Sequence, residues 1–185
     1  MESGAVPARR IAFVRMAHPT PPLEGPRVLL RGAADADLPA LAALRAEAEV
    51  RRWWGAPSAD DFDPPEHGAL LVIEVDGAIA GSIQYEEVAD PQYRSAGIDI
   101  FLGSAWQGRG LGREAIGLLV RHLIEARGHH RLTIDPVAAN ERAIRCYEAV
   151  GFARVGVMRQ YERDDVGAWH DALLMELLAD DWRAR

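Results

Sequence analysis

A hairpin near the middle of the chain constrains the fold more than any other segment. Two apolar runs in ALLVIEVDGAIAGSIQYEE (69–87) flank the pair Asp76-Gly77. An Asp-Gly pair accommodates the positive φ angles of a two-residue turn, so the runs predict adjacent antiparallel strands. The next apolar segment, AGIDIFLG (96–103), predicts a further strand with a carboxylate, Asp99, at its centre. The front half of the chain is therefore predicted to form a mostly antiparallel sheet.

Helical segments precede and follow these strands. The leucine spacing in LPALAALRAEAEV (38–50) indicates one helix, and a second helix is predicted over about 110–127. A strand at 131–135 and a helix ending at Gly151 come next, and two strands, FARVGVM and HDALLMEL, close the chain. This order predicts an α+β fold, with a central, mostly antiparallel sheet flanked by helices.

The length of 185 residues fits a single domain, which we place at 23–185. Residues 1–22 lack periodicity and are predicted to form a flexible arm, with Met1 and Met16 both kept as candidate natural starts. The single cysteine, Cys146, permits no internal disulfide and favours a cytoplasmic location. No run approaches the roughly 18 apolar residues of a membrane span.

The net charge of −7 argues against a nucleic-acid partner, which usually meets a basic surface. It agrees better with a small or cationic partner. The six histidines and one cysteine show no H-x-x-x-H or C-x-x-C spacing, so we predict no metal site. The oligomeric state is left open between monomer and homodimer.

A glycine-rich loop leads into a helix in SAWQGRGLGREAIGLLV (104–120). A Walker-type phosphate loop needs a lysine, and the chain contains none. The spacing of Gly108, Gly110 and Gly112 also departs from the G-x-G-x-x-G of dinucleotide-binding folds. Glycines and a helix N-terminus nevertheless suit an anion, because both present backbone amides. A glycine turn without a ligand is the alternative.

Two motifs in this order resemble the GNAT acyltransferases. The stretch 107–112 resembles the Q/R-x-x-G-x-G/A loop that holds the pyrophosphate of coenzyme A in that family. The stretch DPVAANERAIRCYEAVGF (135–152) resembles its second signature, N-x-x-A-x-x-x-Y-x-x-x-G-F. Asn140 and Tyr147 are seven residues apart, so they share one helix face. The resemblance implies a GNAT fold with a V-shaped sheet, and acetyl-CoA as cosubstrate.

The same resemblance implies roles for individual residues. Tyr147 would protonate the departing thiolate, and Asn140 would contact the pantetheine arm. Cys146 is interpreted as a packing residue rather than a nucleophile. The implied cofactor-binding residues are Ile100, Phe101, Leu102, Gln107, Gly108, Arg109, Gly110, Leu111, Gly112, Arg113, Asn140 and Ala143.

Three segments resemble the aminoglycoside N-acetyltransferases that modify the 6′-amine: 51–55, 96–103 and 133–156. An aminoglycoside is a polycation, so the resemblance implies an acidic acceptor site in which Asp99 takes the proton of the amine. A salt bridge of Asp99 to Arg94, and a turn-capping role for Asp135, are the alternatives. The implied substrate-binding residues are Trp54, Tyr85, Glu87, Asp99, Asp135 and Asp171.

The C-terminal stretch DVGAWHDALLMEL instead resembles GNAT proteins in general, including ribosomal-protein acetyltransferases. Acetylation of a protein N-terminus or of a small polyamine is therefore an alternative activity. A catalytically silent acyl-CoA-binding module is a third alternative.

Overall fold

The computed structural model describes residues 20–58, 60–88, 90–164 and 166–185. Most of the predicted N-terminal arm, including Met1 and Met16, lies outside the described residues. Thirteen helices and strands are described over these ranges: β1 Leu23–Glu24, β2 Leu29–Gly32, α1 Leu38–Arg45, α2 Ala48–Trp54, β3 Gly68–Val75, β4 Ala78–Val88, β5 Ser95–Leu102, α3 Leu111–Arg121, β6 Arg131–Ile134, α4 Glu141–Val150, β7 Ala153–Arg163, β8 Trp169–Leu178 and α5 Ala179–Arg183.

The eight strands form one sheet in the order β1-β2-β3-β4-β5-β6-β8-β7. Every neighbouring pair is antiparallel except β5 and β6, which are parallel. The predicted hairpin is β3 and β4, and its turn residues have positive φ angles, 51° at Asp76 and 77° at Gly77. The predicted α+β fold with a mostly antiparallel sheet is confirmed.

The sheet opens between β5 and β6. These strands share only two register pairs, Ala96 with Leu132 and Gly97 with Thr133. Beyond them, residues 98–102 of β5 pair with β4 alone. The chain after β6 turns toward β8 instead, where Val137 forms a bridge with Ala172. The central sheet is therefore V-shaped, as the family resemblance implied.

The helix predicted over 38–50 is interrupted. α1 ends at Arg45 and α2 begins at Ala48, because Glu47 between them is extended, with ψ at 139°. The Glu47 carboxylate accepts a hydrogen bond from the backbone amide of Ser104 at 2.6 Å. A contact with a residue far along the chain thus fixes the break. The helix predicted over 110–127 is also modified, since α3 is followed by a π-helical turn at His122–Ala126.

The main core lies between the sheet and α3 and α4. Leu111, Ile116 and Leu119 of α3 are all almost fully buried there with Ile98 of β5. On the opposite face, Phe101 of β5 contacts the ring of Trp54, so α2 covers that face. Helices on both faces therefore hold β5 in place. Within the described ranges, no helix is long and apolar enough to cross a membrane.

Replacing Leu119 by Ala should lower the free energy of unfolding by about 2–5 kcal/mol, because it opens a cavity in the core. Denaturant unfolding measures this change. Leu178→Ala is the matched control at an exposed position of β8 and should cost no more than about 0.5 kcal/mol. Equal losses in the two variants would contradict the core position of Leu119.

Candidate active site

A cavity of about 590 Å³ lies where β5 and β6 diverge. It is lined by the free half of β5, the glycine loop, α3, α4, the end of α2 and the segment after β6. The predicted site residues that it brings together are Trp54, Asp99, Ile100, Phe101, Leu102, Gln107, Gly108, Gly110, Leu111, Gly112, Arg113, Asp135, Asn140, Ala143 and Tyr147.

The glycine loop has a backbone conformation that favours glycine. Gly108 and Gly110 have φ angles of 72° and 78°. A Cβ atom on Gly108 would meet nothing within 4 Å, so the backbone angle, not space, requires glycine there. α3 begins directly after Gly110, and its first amides have no partner within the helix. The loop and the start of α3 therefore have the geometry of an anion site, and anion binding there stays a prediction.

Gln107 holds the loop in place. Its Nε2 donates to the carbonyl of Leu102 at 2.7 Å, and Arg142 Nη2 donates to its Oε1 at 2.6 Å. The side chain thus connects the end of β5, the loop and the first turn of α4. Arg113 and Arg145 also line the cavity, so with Arg142 they place positive charge at this end.

The structure places the Arg109 side chain outside the cavity lining. Its guanidinium lies 5.2 Å from the centre of the Trp106 ring. Its carbonyl accepts a hydrogen bond from Arg27 Nη1 at 2.9 Å. The sequence prediction of a cofactor-binding side chain at Arg109 is therefore not supported by its position.

The cavity-facing side of α4 carries the predicted residues in order. Asn140 caps the helix, because its Oδ1 accepts from the amide of Ala143 at 3.2 Å. Ala143 and Tyr147 follow on successive turns and line the cavity. Cys146 also lines it, but burial raises the pKa of its thiol and a Cβ on Gly112 would lie 3.9 Å from its sulfur. A protonated, packed thiol fits a structural role.

Tyr147 is a buried phenol at the cavity. Its side chain is 8% exposed, and its ring centre lies 6.4 Å from that of Phe152. Burial raises its pKa well above the usual range, and the negative charge of Asp99 and Asp135 acts in the same direction. The hydroxyl therefore stays protonated and can serve as a proton donor.

Asp99 lies on the wall of the cavity, where solvent reaches its carboxylate while protein atoms surround it. Gln84 Nε2 donates to its Oδ2 at 3.2 Å. Removal from bulk water raises its pKa against the effect of this hydrogen bond, and Asp135 raises it further. The alternative salt bridge is not formed, because the Arg94 guanidinium donates to the carbonyl of Arg127. An ionisable carboxylate thus faces the cavity with a neutral partner.

Asp135 and Glu162 add two more carboxylates to the same cavity. Burial raises the pKa of both groups, and at Asp135 a hydrogen bond with Tyr161 acts in the opposite direction. Sequence reasoning missed Glu162, because only the fold brings β7 to this cavity. It also missed Arg142 and Arg145, although both lie within the α4 signature.

Three predicted substrate-binding residues lie outside the cavity. Tyr85 is buried in the core, with its hydroxyl 2.8 Å from Thr20 Oγ1. Glu87 is paired with Arg127 at 2.7 Å and His129 at 2.6 Å. Asp171 accepts a hydrogen bond from the backbone amide of Gln160 at 2.8 Å. These side chains have structural partners, so we do not assign them to substrate.

No cluster of three or more His, Cys, Asp or Glu side chains suited to a metal ion occurs in the part of the chain that the structure describes.

Residues 37–152 match the Acetyltransferase (GNAT) family, and the chain belongs to that family. The [Ribosomal protein uS5]-alanine N-acetyltransferase of Escherichia coli (strain K12) is 26% identical over 121 residues, which are 65% of this chain and 57% of that protein. The Aminoglycoside N(6')-acetyltransferase type 1 of Klebsiella pneumoniae is 41% identical over 80 residues, which are 43% of this chain and 39% of that protein. The chain thus spans about half the length of these curated relatives.

The fold is also similar to that of a solved aminoglycoside acetyltransferase, AAC(6')-Ib, in complex with coenzyme A and kanamycin. The TM-score is 0.71 at 25% sequence identity, with 85% of this chain and 98% of that chain covered. The cavity between β5 and β6 therefore belongs to a fold that other acetyltransferases share.

Replacing Gly108 by Ala should destabilise the protein by about 1–3 kcal/mol, because alanine is strained at a positive φ angle. Thermal or denaturant unfolding measures the loss. Gly117→Ala is the control in the regular part of α3, where a Cβ would meet nothing within 4 Å. It should stabilise the helix by up to about 1 kcal/mol. Two changes of the same sign would argue against the strained loop geometry.

Proposed function

We propose that the protein is an acetyl-CoA-dependent N-acetyltransferase whose acceptor is a primary amine of an aminoglycoside. The observation that carries this proposal is the pair of proton-handling groups in one cavity. Asp99 offers a carboxylate without a cationic partner among the described residues, and Tyr147 offers a buried, protonated hydroxyl. The family membership of the chain supports the transferred group, since the family is one of acetyltransferases.

The cavity fits the chemistry of acetyl-CoA. The amides of the glycine loop and of the first turn of α3, with Arg113 and Arg142 nearby, suit the pyrophosphate. The edge of β5 beyond Gly97 has no strand partner on the β6 side, so its backbone groups can pair with the amide-rich pantetheine arm. The solved aminoglycoside acetyltransferase with a similar fold holds coenzyme A, which supports the same occupant here.

In this proposal the chain's own residues position the reactants and move two protons. Asp99 binds the ammonium group of the acceptor and takes its proton, directly or through water, because only a neutral amine attacks a thioester. Tyr147 gives its hydroxyl proton to the departing sulfur. The backbone near Ile100, Phe101 and Leu102 holds the reacting carbonyl group. Acetyl-CoA supplies the activated acetyl group, and joint binding of both reactants aligns them for direct transfer.

Charge supports a cationic acceptor. Asp99, Asp135 and Glu162 line one cavity, and the pKa of each is raised. A bound ammonium group would relieve the cost of ionising these neighbouring acids. The Klebsiella pneumoniae relative, named for an aminoglycoside N(6')-acetyltransferase, supports an aminoglycoside as the amine.

A second candidate acceptor is the N-terminal amine of a protein. A smaller chamber of about 440 Å³ shares Trp53, Trp54 and Glu162 with the main cavity and is also lined by Arg52 and Arg163. The smaller chamber therefore holds arginines together with the acids Glu162 and Asp164. This mixed lining suits an acceptor with one ammonium group and an anionic or carbonyl-rich remainder better than a polycation. The Escherichia coli relative, named for the ribosomal protein uS5, supports this candidate.

Thiol release from acetyl-CoA should be saturable with an amine, and an aminoglycoside should give the highest kcat/KM in a panel that also contains polyamines and short peptides. Asp99→Asn should lower kcat/KM by about 10²–10⁴-fold, which is the usual rate contribution of a positioned general base. In the wild type, activity falls as the pH drops through the raised pKa of Asp99, because the protonated acid cannot accept a proton. This part of the pH dependence of activity should be absent in Asp99→Asn.

Asp181→Asn, at an exposed site on α5, is the matched control and should leave kcat/KM unchanged. Release with peptides alone would replace the aminoglycoside by the second candidate. Tight acetyl-CoA binding without thiol release in the presence of any amine would contradict the proposed activity. It would indicate a silent acyl-CoA-binding module.

Tyr147→Phe should lower kcat while leaving acetyl-CoA affinity nearly unchanged, because it removes the proton donor and keeps the packed ring. Steady-state kinetics and titration calorimetry measure the two quantities. The expected loss in kcat is about 10²-fold or more. An equal loss in affinity and turnover would indicate that Tyr147 binds the cosubstrate rather than donates a proton.

A further inference from the structure

Arg45 is a buried cation that the proposed chemistry does not use. It lies at the end of α1, and its side chain is 2% exposed. We propose that Arg45 is a positioning residue for the acceptor, because it fixes the end of α2 and with it the Trp54 wall of the cavity. The acceptor part of this inference rests on the proposed function, whereas the placement of Trp54 does not.

The guanidinium group makes several contacts with one short stretch of chain. Nη1 donates to the carbonyl of Gly55 at 3.0 Å. Nη2 donates to the carbonyl of Trp54 at 2.6 Å and to that of Ala56 at 3.3 Å. Nε lies 3.1 Å from Asp61 Oδ2. One planar cation thus connects α1 to the end of α2 and to the segment that follows it.

α2 has little means of fixing its own end. It has seven residues, which is too short to be stable alone in water. The last carbonyls of any helix lack partners within the helix. Arg45 supplies donors to carbonyls at and just beyond this end, where Gly55 leaves the helical conformation with a φ angle of 65°. The position of the helix end therefore depends on Arg45.

Trp54 carries this constraint into the cavity. Its ring contacts Phe101 of β5 edge-on, with 5.5 Å between the ring centres. The Arg45 guanidinium lies 5.4 Å from the centre of the Trp54 ring. Phe101 also meets Phe62, at 6.4 Å, just beyond Asp61. Trp54 lines both the main cavity and the smaller chamber, so a shift of this ring changes the space open to an acceptor.

A lysine cannot replace this contact set. The flat guanidinium reaches three carbonyls and a carboxylate at once, whereas an ammonium group is a single point with three donors. The glycine loop and the first turn of α4 lie elsewhere on the cavity wall, and neither contains any of these four partners of Arg45. An effect of Arg45 on the acceptor can therefore be distinguished from an effect on the pyrophosphate end of the cavity, which the glycine loop and the start of α3 form.

The test compares Arg45→Lys with Arg31→Lys. Arg31 is the matched control, because it pairs with Asp37 and Glu74, each at 2.7 Å, and does not line either chamber. Arg45→Lys should raise the KM of the acceptor about tenfold or more, as expected when a binding wall shifts by about 1 Å. The KM of acetyl-CoA should stay unchanged. Arg31→Lys should leave the KM of the acceptor and the KM of acetyl-CoA unchanged at temperatures where this variant is folded.

Asp61→Asn is the milder second variant, since it removes the negative charge beside Arg45 Nε and keeps Arg45 itself. It should raise the acceptor KM in the same direction by a smaller factor, and it decides the question if Arg45→Lys does not fold. A third readout needs no activity. The fluorescence of Trp54, obtained by difference from Trp54→Phe, should become more accessible to acrylamide in Arg45→Lys and Asp61→Asn but not in Arg31→Lys.

Equal changes in both KM values, or a loss of thermal stability with unchanged KM values and unchanged quenching, would overturn the inference and leave Arg45 a purely structural anchor. If the wild type acetylates no amine, the proposed function fails. The quenching comparison then still decides whether Arg45 positions Trp54.

Discussion

The early separation of β5 from β6 determines the rest of the site. The two parallel strands share two register pairs, and then β6 continues with β8 while β5 continues with β4. Pro136 follows the end of β6 at Ile134 by two residues, and proline has no backbone N–H to donate to a neighbouring strand. Its carbonyl instead accepts the amide of Leu173, which draws the chain toward β8. The resulting gap exposes one edge of β5 within an otherwise paired sheet.

The gap is useful because of the charges that surround it. At one end, the first turns of α3 and α4 bring Arg113, Arg142 and Arg145 to the cavity. In the middle are Asp99 and Asp135, and surrounding protein atoms that displace bulk water are the main cause of the raised pKa of each. Acids held close together without cations cost stability, and acids with shifted pKa values in a cleft are typical of functional sites. The cavity can therefore hold an anionic group at the arginine end and a cationic group beside the acids in its middle.

Local patterns predicted the parts of this site that depend on neighbouring residues in the sequence. The Asp76-Gly77 turn, the glycine loop and the seven-residue spacing of Asn140 and Tyr147 all needed only helix, turn and strand rules. Strand faces were harder, because they depend on register. Asp99 pairs with Gln84, so alternation places Gln84 and Glu86 on its face, while Tyr85 and Glu87 project to the other. Two predicted substrate residues, Tyr85 and Glu87, therefore lie on the face opposite Asp99 and outside the cavity.

Contacts between distant segments could not be predicted from the sequence patterns. The break between α1 and α2 depends on the contact of Glu47 with Ser104, and the end of α2 depends on Arg45.

The role of Asp171 also depends on a contact that the sequence pattern does not reveal. The register of β7 against β8 shifts between Met158 and Glu162, and Gln160 within this bulge has a φ angle of 50°. Asp171 holds the bulge through the Gln160 amide. The bulge in turn allows Tyr161 to reach Asp135 and Glu162 to line the cavity. The acid that resemblance assigned to substrate thus supports the site through the backbone of a neighbouring strand.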